Sequence, residues 1–213
     1  MSLILYIDAH WSNTWDCAPY VALREKGTPF STVVAMVNSS VTPPVKYRAI
    51  TGLEPALQHD DFWIAESLAI IEYVDEAFPA PDYPRLWPAD LRARARARQV
   101  MSWTRMELTQ LRHERTSTLL FYPRASHPPL GPVAAAQAER LCTMIARLDP
   151  SPQGTLFGEW CIADVDIAFA LMRLVKTGYE VAPALRAYAE AVWNRPSVRE
   201  YVEHPRPPHA PPD

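Results

Sequence analysis

The chain has 213 residues, which is enough for one large domain or two small ones. Its formal net charge of -3 gives no basic surplus of the kind that nucleic-acid-binding domains show. No apolar run reaches the roughly 18 residues that span a membrane, and the start lacks the basic flank of a secretory signal peptide. The three cysteines are far apart, which argues against a disulfide framework and a zinc site. We therefore expect a cytoplasmic protein without a metal ion.

The first elements in chain order predict a mixed domain. Residues 3–7 form a short apolar run that is typical of a buried strand. A helix follows and is closed by Gly27, a residue that suits a helix C-cap. Residues 30–37 are rich in β-branched side chains and predict a second strand. Residues 38–52 contain adjacent prolines, so we expect irregular structure there.

Two more strands and a helix follow this irregular stretch. The strands are predicted at residues 55–58 and 62–64, joined by a turn. The apolar positions of residues 67–78 have helical spacing. The order βαβ followed by ββα defines a domain over residues 1–80. A proline-rich linker is predicted over residues 81–89.

The rest of the chain shows helical patterns and no strand pattern. Asp90 is predicted to cap a long helix that continues to about residue 115. Further helices are predicted at about 132–149, 162–177, 183–194 and 197–203. These helices form an all-helical domain over residues 90–204. The proline-rich tail, residues 205–213, is predicted to be disordered.

Three stretches point to a known family. Glu54-Pro55 precedes ALQHDDFWIAES, FGEWCIADVDIA occupies residues 157–168, and NRPSV occupies residues 194–198. With these three stretches in this order, the chain resembles the glutathione S-transferase superfamily over nearly its whole length. It is most similar to the YfcF-type bacterial glutathione transferases, which share DAH after strand one, VAL-x-EKG, RARARQ and FGEWCIAD. The resemblance implies an α+β two-domain fold, with a thioredoxin-like βαβ-ββα domain before an all-α domain.

The resemblance also implies a glutathione site. It implies that Pro55 is cis and that the backbone of Glu54 pairs with the cysteinyl part of glutathione as an added strand. Ser67 at a helix N-terminus suits the γ-glutamyl carboxylate, and Glu66 suits the ammonium group. On spacing alone, a helix-capping Ser67, a solvated Glu66 and an ordinary turn proline at position 55 are favoured.

The catalytic group has more than one candidate. By the resemblance, counting back from VAL-x-EKG places Asn13 at the position of the family's usual serine, with Ser12 beside it. An asparagine amide can donate a hydrogen bond to a thiolate but cannot accept its proton. Cys17 is the rival nucleophile, because the local sequence permits a helix that begins there and would lower the thiol pKa. Against Cys17, the connection from strand one would then be about nine residues long, and cysteines are commonly small buried side chains.

Three further residues are candidates for the second-substrate pocket. Trp103, Met106 and Arg112 could face the cleft between the two domains, although a Trp and a Met three positions apart are more often core residues. Cys161 stands where the family usually has Ser or Thr at a helix N-cap. A thiol is a weak hydrogen-bond acceptor, so we expect Cys161 to be structural.

The predicted function is that of a glutathione transferase. It would bind glutathione, stabilise its thiolate and use it on electrophiles, organic hydroperoxides or disulfides, with peroxidase or disulfide-reductase activity beside the transferase reaction. The resemblance implies a homodimer, and we expect no nucleic-acid or membrane partner. Two alternatives are a non-catalytic binding or scaffold protein of the same fold and a thiol-disulfide oxidoreductase that depends on Cys17.

Overall fold

The computed structural model describes residues 2–34 and 43–208, which form two compact units. The sheet unit contains residues 2–34, 43–86 and 199–208. The helical unit contains residues 87–198. A mixed α/β unit and an all-helical unit confirm the predicted fold class. Within the described ranges, no helix is long and apolar enough to cross a membrane.

The sheet unit is built on four strands in the spatial order β2-β1-β3-β4. Strand β1 pairs with β2 in parallel, whereas β3 is antiparallel to both β1 and β4. Three helices, α1 to α3, belong to the same unit. The bounds are β1 Leu3–Ile7, α1 Thr14–Lys26, β2 Ser31–Val34, α2 Pro43–Arg48, β3 Ala56–His59, β4 Phe62–Ala65 and α3 Ser67–Ala77.

Apolar side chains cover both faces of this sheet. On one face Tyr6 forms a cluster with Ala56 and Ala65, and Val45 and Ala49 of the α2 region pack against them. Alternation along a strand turns the neighbours of Tyr6 to the other face, where Leu5 and Ile7 are completely buried. The burial of both faces fixes the register of β1, because a shift by one residue would exchange the two sets.

Helix α2 corrects the prediction of irregular structure over residues 38–52. The helix spans Pro43–Arg48, with both prolines in its first turn. The first turn has no intrahelical partners for its N–H groups, so a proline there removes no hydrogen bond. Residues 35–42, which include the end of the predicted second strand, lie outside the described residues.

A buried ion pair joins the ends of α1 and α3. Lys26 donates to the Oδ1 atom of Asp75 at 2.6 Å and to the carbonyl of Phe78 at 2.7 Å. The same Oδ1 atom accepts the N–H of Leu86 at 3.0 Å. The Lys26 side chain has no exposed surface, so these contacts replace its hydration.

The helical unit surrounds one buried helix. Helix α8 contacts α4, α6, α7 and α9, and all of its first thirteen residues are buried. A helix that is buried on all sides is typical of a domain centre. The bounds are α4 Leu91–Glu107, α5 Thr109–Glu114, α6 Thr118–Phe121, α7 Pro132–Ala146, α8 Ile162–Lys176 and α9 Pro183–Trp193. Helix α10, Pro196–Val202, begins in this unit, and its residues from 199 onward group with the sheet unit.

The structure divides the predicted long helix at Leu108. The backbone of Leu108 leaves helical values, with ψ at 33°, and its side chain is buried. Arg112 donates to the carbonyls of Thr104 and Arg105 at 3.0 and 2.6 Å, which supplies partners to the end of α4. The break is therefore held by a side chain from the following helix. The short helix α6 was not predicted either.

The last described residues also differ from the prediction. The helical domain was expected to reach residue 204, and the tail was expected to be disordered from residue 205. Residues 199–208 instead group with the sheet unit. The physical reason is that Arg206 donates five hydrogen bonds to backbone carbonyls, including that of Trp11. Residues 209–213 of the predicted tail lie outside the described residues.

Candidate functional site

Three chain segments meet at one edge of the sheet. Tyr6 near the end of β1 pairs with Ala56 at the start of β3, and Ala56 pairs with Ala65 at the end of β4. The segments that follow β1, precede β3 and follow β4 therefore share this edge, because the neighbouring strands are antiparallel. They contain the predicted site residues 12–13, 54–55 and 66–67.

The segment before β3 contains a cis peptide bond. The bond joins Glu54 to Pro55, as predicted. The Pro55 side chain is buried, whereas Glu54 is partly exposed. The backbone of Glu54, directly before the buried Pro55, therefore lies at the sheet edge.

The segment after β4 has an unusual backbone. Glu66 has φ at 72° and ψ at 116°, a conformation that L-residues rarely adopt and that costs about 1–3 kcal/mol. Its side chain is exposed, while Ser67, the first residue of α3, is buried. The carbonyl of Glu66 accepts the N–H of Ile70 at 2.9 Å. The N-terminal end of α3, with its partial positive charge, therefore lies directly beside Ser67.

The loop after β1 is organised by Asp8. The Asp8 carboxylate accepts the backbone N–H groups of His10, Ser12 and Asn13, each at 2.8 Å. Three donors on one carboxylate fix the path of a loop that would otherwise leave these N–H groups without partners.

Asn13 is the N-cap of α1. Its Oδ1 atom accepts the N–H of Trp15 at 3.1 Å, and its Nδ2 atom donates to Oδ1 of Asp16 at 3.0 Å. One N–H of the amide remains for another acceptor, since an amide nitrogen has two. The hydroxyl of Ser12 has no hydrogen-bond partner among the described residues. Both side chains are partly exposed, so each can donate to a ligand atom.

Asp16 is a buried carboxyl that ties this loop to α1. Its Oδ2 atom accepts the N–H of Asp8 at 2.8 Å, and the residue has no exposed surface. Burial raises the pKa of Asp16 well above its ordinary value, and the nearby charges of Asp8 and Glu54 raise it further. Sequence reasoning did not select Asp8 or Asp16 for a role in the site. The spacing Asn-x-x-Asp, which resembles a capping box, was the available signal.

Cys17 lies one turn inside α1. The helix begins at Thr14, so the permitted start at Cys17 is not the one the chain adopts. The connection from β1 is residues 8–13, which falls within the usual length. Cys17 is completely buried, as expected of a small core side chain. A thiol without exposed surface is poorly placed to attack a substrate.

The three predicted second-substrate residues have different surroundings. Trp103 lines a cavity of about 580 Å³ between α4 and α7, where the guanidinium of Arg140 lies 5.4 Å from its ring centre. Met106 is 71% exposed and does not line that cavity. Arg112 is directed to the carbonyls at the end of α4. The structure therefore does not bring the three side chains to this cavity.

The start of α8 forms a second buried cluster. Cys161 is the N-cap and is completely buried, and Asp164 accepts its N–H at 2.9 Å. Asp164 also accepts the N–H of Leu156 at 3.1 Å and the hydroxyl of Tyr188 at 2.8 Å. Burial raises the pKa of Asp164 from 3.8 to about 6. Neither here nor elsewhere in the described part of the chain is a group of three His, Cys, Asp or Glu side chains placed to hold a metal ion.

Known proteins are similar to this chain over most of its length. Residues 19–77 match the family model of the glutathione S-transferase N-terminal domain, and residues 90–205 match that of the C-terminal domain. Glutathione S-transferase theta-3 of Mus musculus is 27% identical over 209 residues, which cover 90% of this chain and 82% of that protein.

Solved structures extend the comparison. A glutathione transferase homologue from Burkholderia, solved with bound glutathione, is 35% identical with a TM-score of 0.79, covering 95% of this chain and 97% of that one. The theta class glutathione S-transferase of Xanthomonas axonopodis, also with glutathione bound, is 18% identical with a TM-score of 0.73, and covers 94% of this chain and 97% of its own. The second likeness concerns the fold alone.

Proposed function

We propose, because this chain belongs to the glutathione S-transferase family, that it binds glutathione, stabilises the thiolate and transfers it to electrophiles. The observation that carries the proposal is the meeting of three segments at one sheet edge, set by the pairs Tyr6–Ala56 and Ala56–Ala65. These segments supply the backbone groups before β3, a helix N-terminus and uncharged hydrogen-bond donors. Each suits a different part of the tripeptide.

The backbone of Glu54 would bind the cysteinyl part of glutathione. An extended peptide can add to an exposed backbone segment through its own N–H and C=O groups. The burial of Pro55 directly before β3 supports this role, since it holds the preceding residue at the sheet edge.

The start of α3 would bind the γ-glutamyl end. Its carboxylate suits the N-terminal N–H groups of the helix together with Ser67, because a helix N-terminus attracts negative charge. The exposed carboxylate of Glu66 suits the ammonium group. The strained backbone of Glu66 supports a functional role, since conformations of this kind concentrate at binding sites.

Asn13 and Ser12 would stabilise the thiolate. A thiol has an ordinary pKa of about 8.5, and a hydrogen-bond donor near a helix N-terminus lowers it. The remaining N–H of Asn13 and the Ser12 hydroxyl are such donors at the start of α1. Because an amide accepts no proton, the thiol proton would pass to solvent. The thiolate sulfur then forms a bond to the electrophilic carbon as the leaving group departs with its electron pair.

Peroxidase and disulfide-reductase activity are finer proposals for the same thiolate. Reduction of an organic hydroperoxide would convert two glutathione molecules to the disulfide, with release of an alcohol and water. Reduction of a disulfide would pass through a mixed disulfide with glutathione.

The proposed contacts to the second substrate remain Trp103, Met106 and Arg112. Met106 is the most exposed of the three.

The two alternatives make different demands on the chain. A Cys17-dependent oxidoreductase needs an accessible thiol, and the complete burial of Cys17 opposes it. A scaffold protein without activity does not need the strained backbone at Glu66. A homodimer in the cytosol remains part of the proposal, and light scattering of the purified protein tests its oligomeric state.

Calorimetric titration with glutathione is the first test. We expect binding at or below millimolar concentration, and a wild-type protein that shows none contradicts the proposal. Activity is then measured with an aromatic electrophile, an organic hydroperoxide and a small disulfide.

Ser67→Ala should weaken glutathione binding about tenfold, because one charge-assisted hydrogen bond is lost. Ser102→Ala, an exposed serine on α4, is the matched control.

Variants of the loop separate the thiolate donors from Cys17. Asn13→Ala should raise the thiol pKa of bound glutathione by about one unit, because one donor to a charged acceptor is lost. Ser12→Ala measures the share of the hydroxyl. Cys17→Ser should leave the thiol pKa and the activity unchanged. A large loss of activity in Cys17→Ser alone would assign the chemistry to that thiol.

A further inference from the structure

Arg206 binds the loop after β1 from outside. Its Nε and Nη2 atoms donate to the carbonyl of Trp11 at 3.1 and 3.0 Å. Its other donors bind the carbonyls of Tyr201, Val202 and His204, each at 2.8 Å. All five guanidinium donors are thus used on four backbone carbonyls, which makes Arg206 the link between two distant parts of the chain.

Trp11 is enclosed by side chains of the same segment. Its ring stacks on His204, with centroids 3.6 Å apart and planes 20° apart, and it also contacts Tyr201. Trp11 has a positive φ of 51° and is 6% exposed. A bulky residue in this conformation needs support from its surroundings, and residues 201–206 provide it.

Tyr201 adds a third hydrogen bond to the loop, after the two from Arg206. Its hydroxyl donates to the carbonyl of Asn13 at 2.9 Å, and the whole side chain is buried. The carbonyls of Trp11 and Asn13 lie on either side of Ser12 in the chain. Both proposed thiolate donors are therefore bordered by carbonyls that Arg206 and Tyr201 hold, while Asp8 holds the N–H groups.

We infer that residues 201–206, here called the C-terminal clamp, position Ser12 and Asn13 for the thiolate, so that Arg206 and Tyr201 are positioning residues of the reaction. This inference rests on the proposed function. A donor lowers the pKa of the sulfur only if it is held within a fraction of an ångström of its productive position, and a loop alone rarely achieves this. The hydrogen bonds described for Arg206 and Tyr201 go to the loop after β1 and to carbonyls of the clamp itself, so we expect the clamp to act on ionisation and not on affinity.

Three variants separate the geometry of the clamp from its charge. Arg206→Ala removes both, whereas Arg206→Lys keeps the positive charge but lacks the planar fork that reaches several carbonyls. Tyr201→Phe removes only the hydroxyl that binds Asn13. Arg199→Ala is the matched control, because this arginine of α10 lies just before the clamp and pairs with the exposed Glu203.

Two readouts are taken on the full-length protein. The ultraviolet absorbance of the thiolate gives the ionised fraction of bound glutathione, and calorimetry gives its Kd. We expect Arg206→Ala to lower the ionised fraction at neutral pH about three- to tenfold, with a Kd within twofold of wild type. Arg206→Lys should recover less than half of this loss. Tyr201→Phe should show a smaller loss of the same kind, and Arg199→Ala should show none.

Amide hydrogen exchange gives a readout that does not depend on glutathione. Exchange of residues 8–13 should be faster in Arg206→Ala and in Tyr201→Phe than in Arg199→Ala. If wild-type protein binds no glutathione, the proposed function fails, while exchange still decides whether the clamp holds the loop.

Other outcomes overturn the inference itself. They are an unchanged ionised fraction in Arg206→Ala, a Kd that weakens by the same factor as ionisation, full recovery in Arg206→Lys, or unchanged exchange in the loop. Should Arg206→Ala not fold, Tyr201→Phe decides by the same criteria, because loss of one hydroxyl leaves the packing of the ring in place.

Discussion

The N-termini of α1 and α8 both contain a buried aspartate, but the aspartate has a different role in each. Each helix has an N-cap residue followed three positions later by a completely buried aspartate, Asn13 with Asp16 and Cys161 with Asp164. In α8 the aspartate accepts the N–H of the N-cap itself, which closes a capping box inside the core. In α1 that N–H goes to Asp8, and Asp16 instead binds the side-chain amide of the N-cap.

This difference separates a structural helix start from one that can act on a ligand. Cys161 has no exposed surface, so the α8 cluster is complete within itself. Asn13 is partly exposed and keeps one amide N–H. The chain therefore adds a second carboxylate, Asp8, to the α1 loop and leaves the N-cap side chain available to a ligand.

The largest expected effect is on stability at α8. Asp164→Ala leaves the N–H groups of Cys161 and Leu156 and the hydroxyl of Tyr188 buried without an acceptor. We expect a loss of about 3–5 kcal/mol in the free energy of unfolding, measured with urea. Asp90→Ala, which removes an exposed N-cap of α4, is the control and should cost about 1 kcal/mol. Equal losses in both variants would show that burial of the cluster adds nothing.

The same carboxyl predicts a pH dependence. The pKa of Asp164 is about 6 in the folded chain and 3.8 ordinarily, so between these values the folded chain holds a proton that the unfolded chain releases. The stability that Asp164 contributes should therefore fall as pH rises from about 4 to about 6, by at most about 3 kcal/mol. Urea unfolding of wild type and Asp164→Ala across this range measures it. A difference between the two proteins that is constant with pH contradicts the prediction.

The equivalent change at α1 should affect function more than stability. Asp16→Ala removes the acceptors of the Asp8 N–H and the Asn13 amide, at a cost of about 2 kcal/mol in unfolding free energy. Because Asn13 loses its support, we expect kcat/KM for the glutathione reaction to fall about tenfold while the Kd of glutathione stays within twofold. Asp164→Ala, assayed where it is folded, is the control and should keep wild-type kcat/KM. Equal losses of activity in Asp16→Ala and Asp164→Ala would contradict the functional difference between the two helix starts.

The smallest effect is expected at Cys161. A serine hydroxyl is a better acceptor than a thiol for the N–H groups of the first turn, so Cys161→Ser should raise the free energy of unfolding by about 0.5 kcal/mol. Activity should not change. Cys142→Ser, a half-buried cysteine inside α7, tests whether the gain belongs to the cap, since it should show no gain. A lower melting temperature for Cys161→Ser contradicts the structural interpretation.

Local patterns predicted most of the fold. The apolar run at residues 3–7 and the Gly27 cap gave correct elements because alternation, helical spacing and caps are properties of neighbouring residues. The cis bond before Pro55 followed from the family resemblance. The break at Leu108 has no comparable signal in the sequence. The Arg112 contacts that support it depend on the folded backbone of α4 and α5.

The candidate site shows the same limit. Its segments could be listed from the sequence, yet the roles of Asp8 and Asp16 depend on how the loop folds over three backbone N–H groups. The contacts of Arg206, which lies in a proline-rich stretch, could not be predicted from the sequence. Its partner in the loop is a backbone carbonyl, which any residue type can supply. Hydrogen bonds to backbone atoms that are distant in the chain leave no pattern in a sequence.

The link between Arg206 and Trp11 also sets an order of events during synthesis. The two residues are 195 positions apart, so the loop leaves the ribosome long before its support is made. The strands of the sheet can pair as soon as residue 65 has emerged, but the loop beside them stays without the clamp until translation has passed the whole helical unit. A nascent chain would thus contain the sheet before the clamp, and we expect it to ionise bound glutathione less than a chain in which residue 206 has reached the loop.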